Sequence, residues 1–179
     1  MFDIANPGDI LNRIMENNLV RAATESDAED IARIYNPYIL NTCITFEEHP
    51  VTVREISRRI QEIVDASLSY LVVEQNGLVI GFAYAVRWKS RSAYKYSVET
   101  SIYLDPSMVG KGLGRRLYVS LLDRLREKDI HTAIGGIALP NPTSIRLHEK
   151  LGFTKVAEFH EVGFKFGEWI NVGYWQLNL

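Results

Sequence analysis

VETSIYLDPSMVGKGLGRR, residues 98–116, is the stretch on which the fold turns. It opens as an apolar strand carrying one acid, Glu99, and passes a turn marked by Pro106. It then reaches three alternating glycines, Gly110, Gly112 and Gly114, at the start of a helix. A glycine loop that opens a helix presents several backbone N–H groups in one direction. With the positive end of the helix dipole they favour an anion, typically a phosphate. A carboxylate one strand length upstream of such a cradle points to chemistry on a phosphorylated cofactor.

Spacing narrows what the cradle holds. A dinucleotide fingerprint needs G-x-G-x-x-G, and the third position after Gly110 and Gly112 is Arg115. The P-loop pattern G-x-x-x-x-G-K-[ST] is absent. A plain strand-to-helix turn, using glycine for positive φ, stays open beside the anion reading.

Outward from this stretch the chain alternates strands and helices. Leu19–Ala22 reads as a short strand. Ser26 or Asp27 caps a helix with Ala28, Ile31, Ile34 and Tyr35 on one stripe, and Pro37 is expected to bend or stop it. Thr52 caps a second helix through Ile56, Ile60 and Ile63. YLVVEQNGLVIGFAYAVRW, residues 70–88, is two strands joined at Gln75-Asn76-Gly77, a strong hairpin signal. Leu113–Arg126 is a helix and Thr132–Ala138 a strand. Asn141 caps a helix with Pro142 at its first position and Gly152 at its stop. Phe153–Phe159 and Val172–Leu177 read as closing strands. The fold class is α+β, a mixed twisted sheet flanked by helices. Residues 19–179 form a single domain, and residues 1–18 an N-terminal extension with helical spacing at Ile10, Leu11, Ile14 and Met15.

Composition bounds the function. The 179 residues are 46% hydrophobic and 23% charged with net charge −2, which favours neither nucleic acid nor an anionic membrane. No apolar run approaches a bilayer span. Cys43 is the only cysteine, so no intramolecular disulfide or cysteine-based zinc site is expected, and a cytoplasmic location fits. The four histidines, His49, His131, His148 and His160, show no ligand spacing, and no metal is expected.

The order strand, glycine loop, helix, strand, then Asn-Pro-x-Ser at 141–144 and LHEKLGF at 147–153, resembles the GNAT acyltransferase superfamily. That resemblance implies a GNAT fold and an acetyl-CoA pyrophosphate at the glycine loop, with no metal. The superfamily loop begins with Arg or Gln where this chain has Val109; Lys111, Arg115 and Arg116 offer charge instead. The likeness sharpens to the phosphinothricin N-acetyltransferases, which include herbicide-resistance enzymes. It is carried by TFEEHP at 45–50, WKSRSAY at 88–94, VETSIYL at 98–104, RLHEKLGF at 146–153 and GFKFGEWINVGYWQL at 163–177. It implies acetyl transfer to a small acidic amino-acid analogue, such as phosphinothricin or methionine sulfoximine or sulfone. It also implies a homodimer, with Lys165, Phe166 and Trp169 in the hairpin that helps build it.

The residues suit that chemistry. Glu99, Ser101 and Tyr103 share one face of their strand, and Val98, Thr100, Ile102 and Leu104 the other. An α-amino group has a pKa of about 8 and must lose a proton to attack a thioester. Glu99 is the candidate general base, with a solvent-facing strand glutamate as the alternative. Tyr103 and His148 are the further catalytic candidates; a helix histidine such as His148, one turn from Ser144, is also a common structural residue. Ile102, Tyr103, Leu104, Val109, Gly110, Lys111, Gly112, Leu113, Gly114, Arg115, Asn141 and Ser144 are the expected acetyl-CoA contacts. Arg87, Lys89 and Arg91 alternate, and point one way if the strand continues. The resemblance puts Lys89, Arg91 and Tyr94 on the substrate side, suited to an acid. Phe46 is an apolar wall of the same pocket or a core side chain. Two rivals stay open: acetylation of another amine, which the cationic run disfavours for polyamines, and a non-catalytic CoA-binding module.

Overall fold

The computed structural model describes residues 18–179. In chain order the elements are β1 (Asn18–Ala22), α1 (Ala28–Asn41), α2 (Val53–Asp65), β2 (Tyr70–Gln75), β3 (Leu78–Arg87), β4 (Ser97–Leu104), α3 (Leu113–Arg126), β5 (Thr132–Ala138), α4 (Pro142–Lys150), β6 (Thr154–Lys165) and β7 (Glu168–Asn178). The seven strands form one sheet in the order β1-β2-β3-β4-β5-β7-β6. The β4–β5 pair is parallel and the other pairs are antiparallel, so the sheet is mixed, as the sequence indicated. The expected N-terminal extension lies outside the described residues except for Asn18, which begins β1.

Local chemistry explains most boundaries. The β2–β3 loop is Asn76-Gly77, with φ of 52° and 81°, the left-handed pair that a two-residue hairpin requires. Thr52 accepts a hydrogen bond from the Glu55 N–H and starts α2. Asn141 accepts from the Ser144 N–H and Pro142 takes the first position of α4. Two expectations need correction. Pro37 does not stop α1, which runs on to Asn41. The bond it removes would have ended on the Arg33 carbonyl, on the exposed side, while Tyr35 and Ile39 stay buried and hold the helix to the sheet. The closing strands are longer than expected. They meet at Phe166-Gly167, again a positive-φ pair, so the hairpin extends well past Phe159.

Helices cover both faces. On one, Tyr35 of α1 packs edge-on against Phe82 and Tyr103, and Ile56, Ile60 and Ile63 of α2 are buried nearby. On the other, Leu117, Leu121 and Leu125 of α3 are fully buried, each worth about 1.5–3 kcal/mol of apolar transfer. The feature that positions the site lies mid-sheet. β4 and β5 pair only at Ser97–Thr132, Val98–Ala133 and Glu99–Ile134. Beyond Glu99, β4 stays with β3 as far as Leu104 and β5 stays with β7 as far as Ala138, so the sheet opens into a slot.

Candidate active site

Glu99 stands on the last rung that β4 and β5 share. Its carboxylate is half-buried and faces β5 and β7, where Gly136 leaves room for it: a Cβ at Gly136 would lie 2.9 Å from Glu99 Oε1. Tyr174, the cross-strand partner of Gly136, covers the same spot. Burial raises the Glu99 pKa above the usual carboxylate value, and the Lys89 ammonium partly opposes that rise. The Glu99 charge in turn adds to the burial that raises the Tyr174 phenol. The result is a carboxylate that holds a proton more readily than a surface glutamate yet keeps a cation at hand.

Two cavities meet at this vertex. One, of about 280 Å³, is lined by Ile44, Phe46, Glu99, Gly136, Ala138, Val162, Val172 and Tyr174. The other, of about 410 Å³, follows the slot and is mostly apolar. Its walls include Tyr38, Ile44, Ile102, Tyr103, Leu104, Pro106, Val109, Gly114, Asn141, Thr143, Ser144 and Leu147. Ile44 belongs to both, so one side chain stands where the cavities adjoin.

The glycine loop closes the far end of the slot. Gly110 and Gly112 have φ of 86° and 79°, conformations that L side chains rarely adopt. Gly114, in the first turn of α3, lies beside Leu104, Leu147 and Ile102. The first intrahelical bond of α3 runs from the Arg116 N–H to the Gly112 carbonyl, so the Leu113, Gly114 and Arg115 amides precede the ladder. The Leu113 side chain is buried in the core, while Lys111 and Arg115 are exposed and the Lys111 ammonium lies against Met108 Sδ at 3.4 Å. An extended chain ending in a diphosphate fits this arrangement: an apolar slot for the arm, and a cradle of amides with cations on its rim.

The basic run does not share one face. β3 ends at Arg87, whose side chain turns to the face away from Glu99 and lines a separate concavity with Lys95 and Lys128. Past the strand end, Lys89 comes back towards Glu99, with its ammonium 4.5 Å from the Trp88 ring centroid. Trp88 in turn packs edge-on to Tyr174. Arg91 and Tyr94 are exposed and bracket a short turn. Phe46 lines the Glu99 cavity, whereas Lys89, Arg91 and Tyr94 lie outside its immediate walls.

His148 and Tyr103 are not brought to the Glu99 carboxylate. His148 is 3% exposed on the opposite face of the sheet, where its ring fills the space left by Gly135. Nδ1 lies 2.8 Å from the Ser144 carbonyl and Nε2 3.0 Å from the Tyr118 hydroxyl, which is 2.6 Å from Thr100 Oγ1. A carbonyl only accepts, so Nδ1 carries the proton and the Tyr118 hydroxyl donates to Nε2. Burial lowers the pKa of that ring, which favours its neutral form. Tyr103 shares the Glu99 face, as the strand parity required, but four residues along a strand is about 13 Å. Its ring packs edge-on against Tyr35 and Tyr38, and burial raises its pKa far above the usual phenol value.

Sequence reading missed Tyr174, Gly136, Ile44 and Tyr38. Glycine in a strand signals a close approach, and the Gly135-Gly136 pair inside β5 carried that signal for both sheet faces. Nothing local marks Tyr174 or Tyr38. The first is placed by pairing across β5 and β7. The second donates its hydroxyl to the Leu104 carbonyl at 2.7 Å.

Comparison with known proteins gives the family and the fold. The family described as acetyltransferase (GNAT) domain matches residues 20–172. An L-methionine sulfoximine/L-methionine sulfone acetyltransferase of Salmonella typhimurium is 39% identical over 89% of this chain and 94% of its own length. A phosphinothricin N-acetyltransferase of Streptomyces viridochromogenes is 36% identical over 88% of this chain and 85% of its own. Among solved structures, a GNAT superfamily phosphinothricin acetyltransferase from Sinorhizobium meliloti in complex with acetyl-CoA superposes with a TM-score of 0.87. It has 35% identity and covers 91% of this chain and 89% of that one. The chain belongs to the GNAT acetyltransferase family.

Proposed function

We propose that this enzyme moves the acetyl group of acetyl-CoA to the primary amine of a small acidic amino-acid analogue, of the phosphinothricin or methionine sulfoximine/sulfone type, with Glu99 as general base. The observation that carries the reading is the place of Glu99. It is a half-buried carboxylate on the last shared rung of β4 and β5, in the wall of one cavity and beside the mouth of a second, apolar one. The names of the 39% and 36% identical relatives support the acceptor class.

Acetyl-CoA supplies the activated acyl group. Backbone amides of Val109–Arg115 would hold its diphosphate, with Lys111 and Arg115 adding charge. Ile102, Leu104, Asn141 and Ser144 would flank its arm, and the Ile102 and Leu104 amides, which the β3–β4 register leaves facing the slot, would be the donors for the acyl oxygen as charge develops there. Glu99 takes one proton from the acceptor ammonium, directly or through one water, and frees the nitrogen lone pair for attack on the acyl carbon; as the C–N bond forms the thioester C–S bond breaks, and CoA leaves as a thiolate that takes the second proton lost by the nitrogen. Such assistance is worth roughly 10²–10⁴-fold. Lys89 offers a cation to the acid of the acceptor, with Arg91 and Tyr94 on the same side, and Phe46 packs on its carbon chain. His148 and Tyr103 act by holding the slot in shape rather than by carrying the proton.

The same reading makes residues 19–179 one catalytic domain of a cytoplasmic homodimer. The edge strand β6 and the hairpin tip support the dimer: Phe159, Val162, Phe164, Phe166 and Trp169 are all more than half exposed. Thiol release from acetyl-CoA against an amine panel tests the function. Release with phosphinothricin or methionine sulfone, and little with amino acids that lack a tetrahedral phosphinyl or sulfonyl group or with polyamines, is expected. Binding of CoA with no release for any amine would overturn it in favour of a non-catalytic module.

A further inference from the structure

The segment between α1 and α2, residues 42–52, carries Ile44 and Phe46 yet has no regular structure of its own. Side chains from two directions hold it. From α1, the Tyr35 hydroxyl lies 2.7 Å from Thr45 Oγ1 and donates to Glu47. From the other half of the split sheet, Lys165 at the end of β6 donates to the Thr45 carbonyl at 2.7 Å. Lys165 is 2% exposed, and among the described residues no carboxylate stands within ion-pair distance of it. Burying an ammonium is costly unless its hydrogen bonds are made, so this position has a strict requirement for the bond it forms. Two residues earlier on the same face of β6, Gly163 leaves the space that the Phe46 ring fills, and any Cβ there would intrude on that ring.

We infer that Lys165 is a positioning residue for the acceptor: with Gly163 it forms a two-point seat on β6 that fixes Thr45 and Phe46, and so sets the cavity wall across from Glu99. The inference rests on reading the Phe46–Glu99 cavity as the acceptor site. Its bond spans the split sheet, from the half that carries β6 and β7 to the segment attached to α1 and α2. Phe46 touches the Glu99 cavity and not the slot, so the seat acts mainly on the acceptor, with Ile44, which borders both cavities, as its link to the slot.

Steady-state kinetics of the full chain test it with Lys165→Met, which keeps the apolar stem and deletes the donor, and Gly163→Ala, which pushes on Phe46. Lys165→Met is expected to raise the acceptor KM about tenfold, the worth of one charge-assisted hydrogen bond, and Gly163→Ala to raise it severalfold by displacing the Phe46 ring, each with the acetyl-CoA KM held within about twofold. Lys165→Gln keeps an N–H for the Thr45 carbonyl and is expected to recover most of the loss. An unchanged acceptor KM, an equal rise in both KM values, or no recovery in Lys165→Gln would overturn the inference. Amide hydrogen exchange of residues 43–47 separates its failure from failure of the functional reading. If the wild type acetylates no amine, faster exchange in Lys165→Met with β4 and α3 unchanged still supports the seat, and unchanged exchange overturns it.

Discussion

Gly136 and Glu99 occupy complementary positions across β4 and β5: the missing side chain of one is the space used by the carboxylate of the other, 2.9 Å from where a Cβ would stand. The atom in the way is the far end of a flexible side chain, so Gly136→Ala moves Glu99 more than it unfolds the protein. Turnover is expected to fall about tenfold or more from misplacement of the proposed base, with little change in Tm. Parallel kinetics and thermal melts check this. A large Tm loss with normal specific activity would be the contrary result.

The acidic limb of the pH–rate profile reports the same group. Burial raises the Glu99 pKa and Lys89 lowers it. Only the ionised carboxylate accepts the amine proton, so kcat/KM falls as pH drops through the Glu99 pKa, above the ordinary carboxylate range. Lys89→Met removes the opposing charge. Its limb is expected to move to higher pH, and a shift to lower pH would contradict the electrostatics.

The glycine loop makes a separate demand. Gly112 has φ of 79° at the position that caps α3. Gly112→Ala forces a side chain into that conformation at a cost of about 1 kcal/mol or more, met by the loop turning its amides away. The acetyl-CoA KM is expected to rise severalfold while the acceptor KM holds. Isothermal titration with CoA gives an independent reading.

His148 serves a different purpose. Its ring, Tyr118 and Thr100 tie α4, α3 and β4 together at the vertex of the slot. His148→Ala leaves a cavity and an unpaired Tyr118 hydroxyl, at about 3 kcal/mol, which lowers Tm by about 10 °C. The folded fraction is expected to keep the acidic limb of the wild type. Loss of that limb would instead make His148 a titrating participant.

Much of this was legible before any coordinates. Strand parity placed Glu99 and Tyr103 on one face, and the glycine spacing placed the cradle, because both follow from local geometry. Caps at Thr52 and Asn141 and the Asn76-Gly77 turn fixed boundaries for the same reason. What failed needed distant contacts. Arg87, Lys89 and Arg91 share a face only if the strand continues, and nothing local shows that β3 ends at Arg87. His148 was a catalytic candidate from its place in LHEKLGF, and its burial depends on Gly135 and Tyr118 from other elements. Tyr174 joins the site only through the β5–β7 register.

Glu99→Gln tests the chemistry most directly, because the amide keeps the shape and loses the base. Single-turnover acetylation near neutral pH is expected to slow by roughly 10²–10⁴-fold and to lose its acidic limb, with acetyl-CoA affinity nearly unchanged. Turnover equal to wild type, with the limb intact, would remove Glu99 from the reaction.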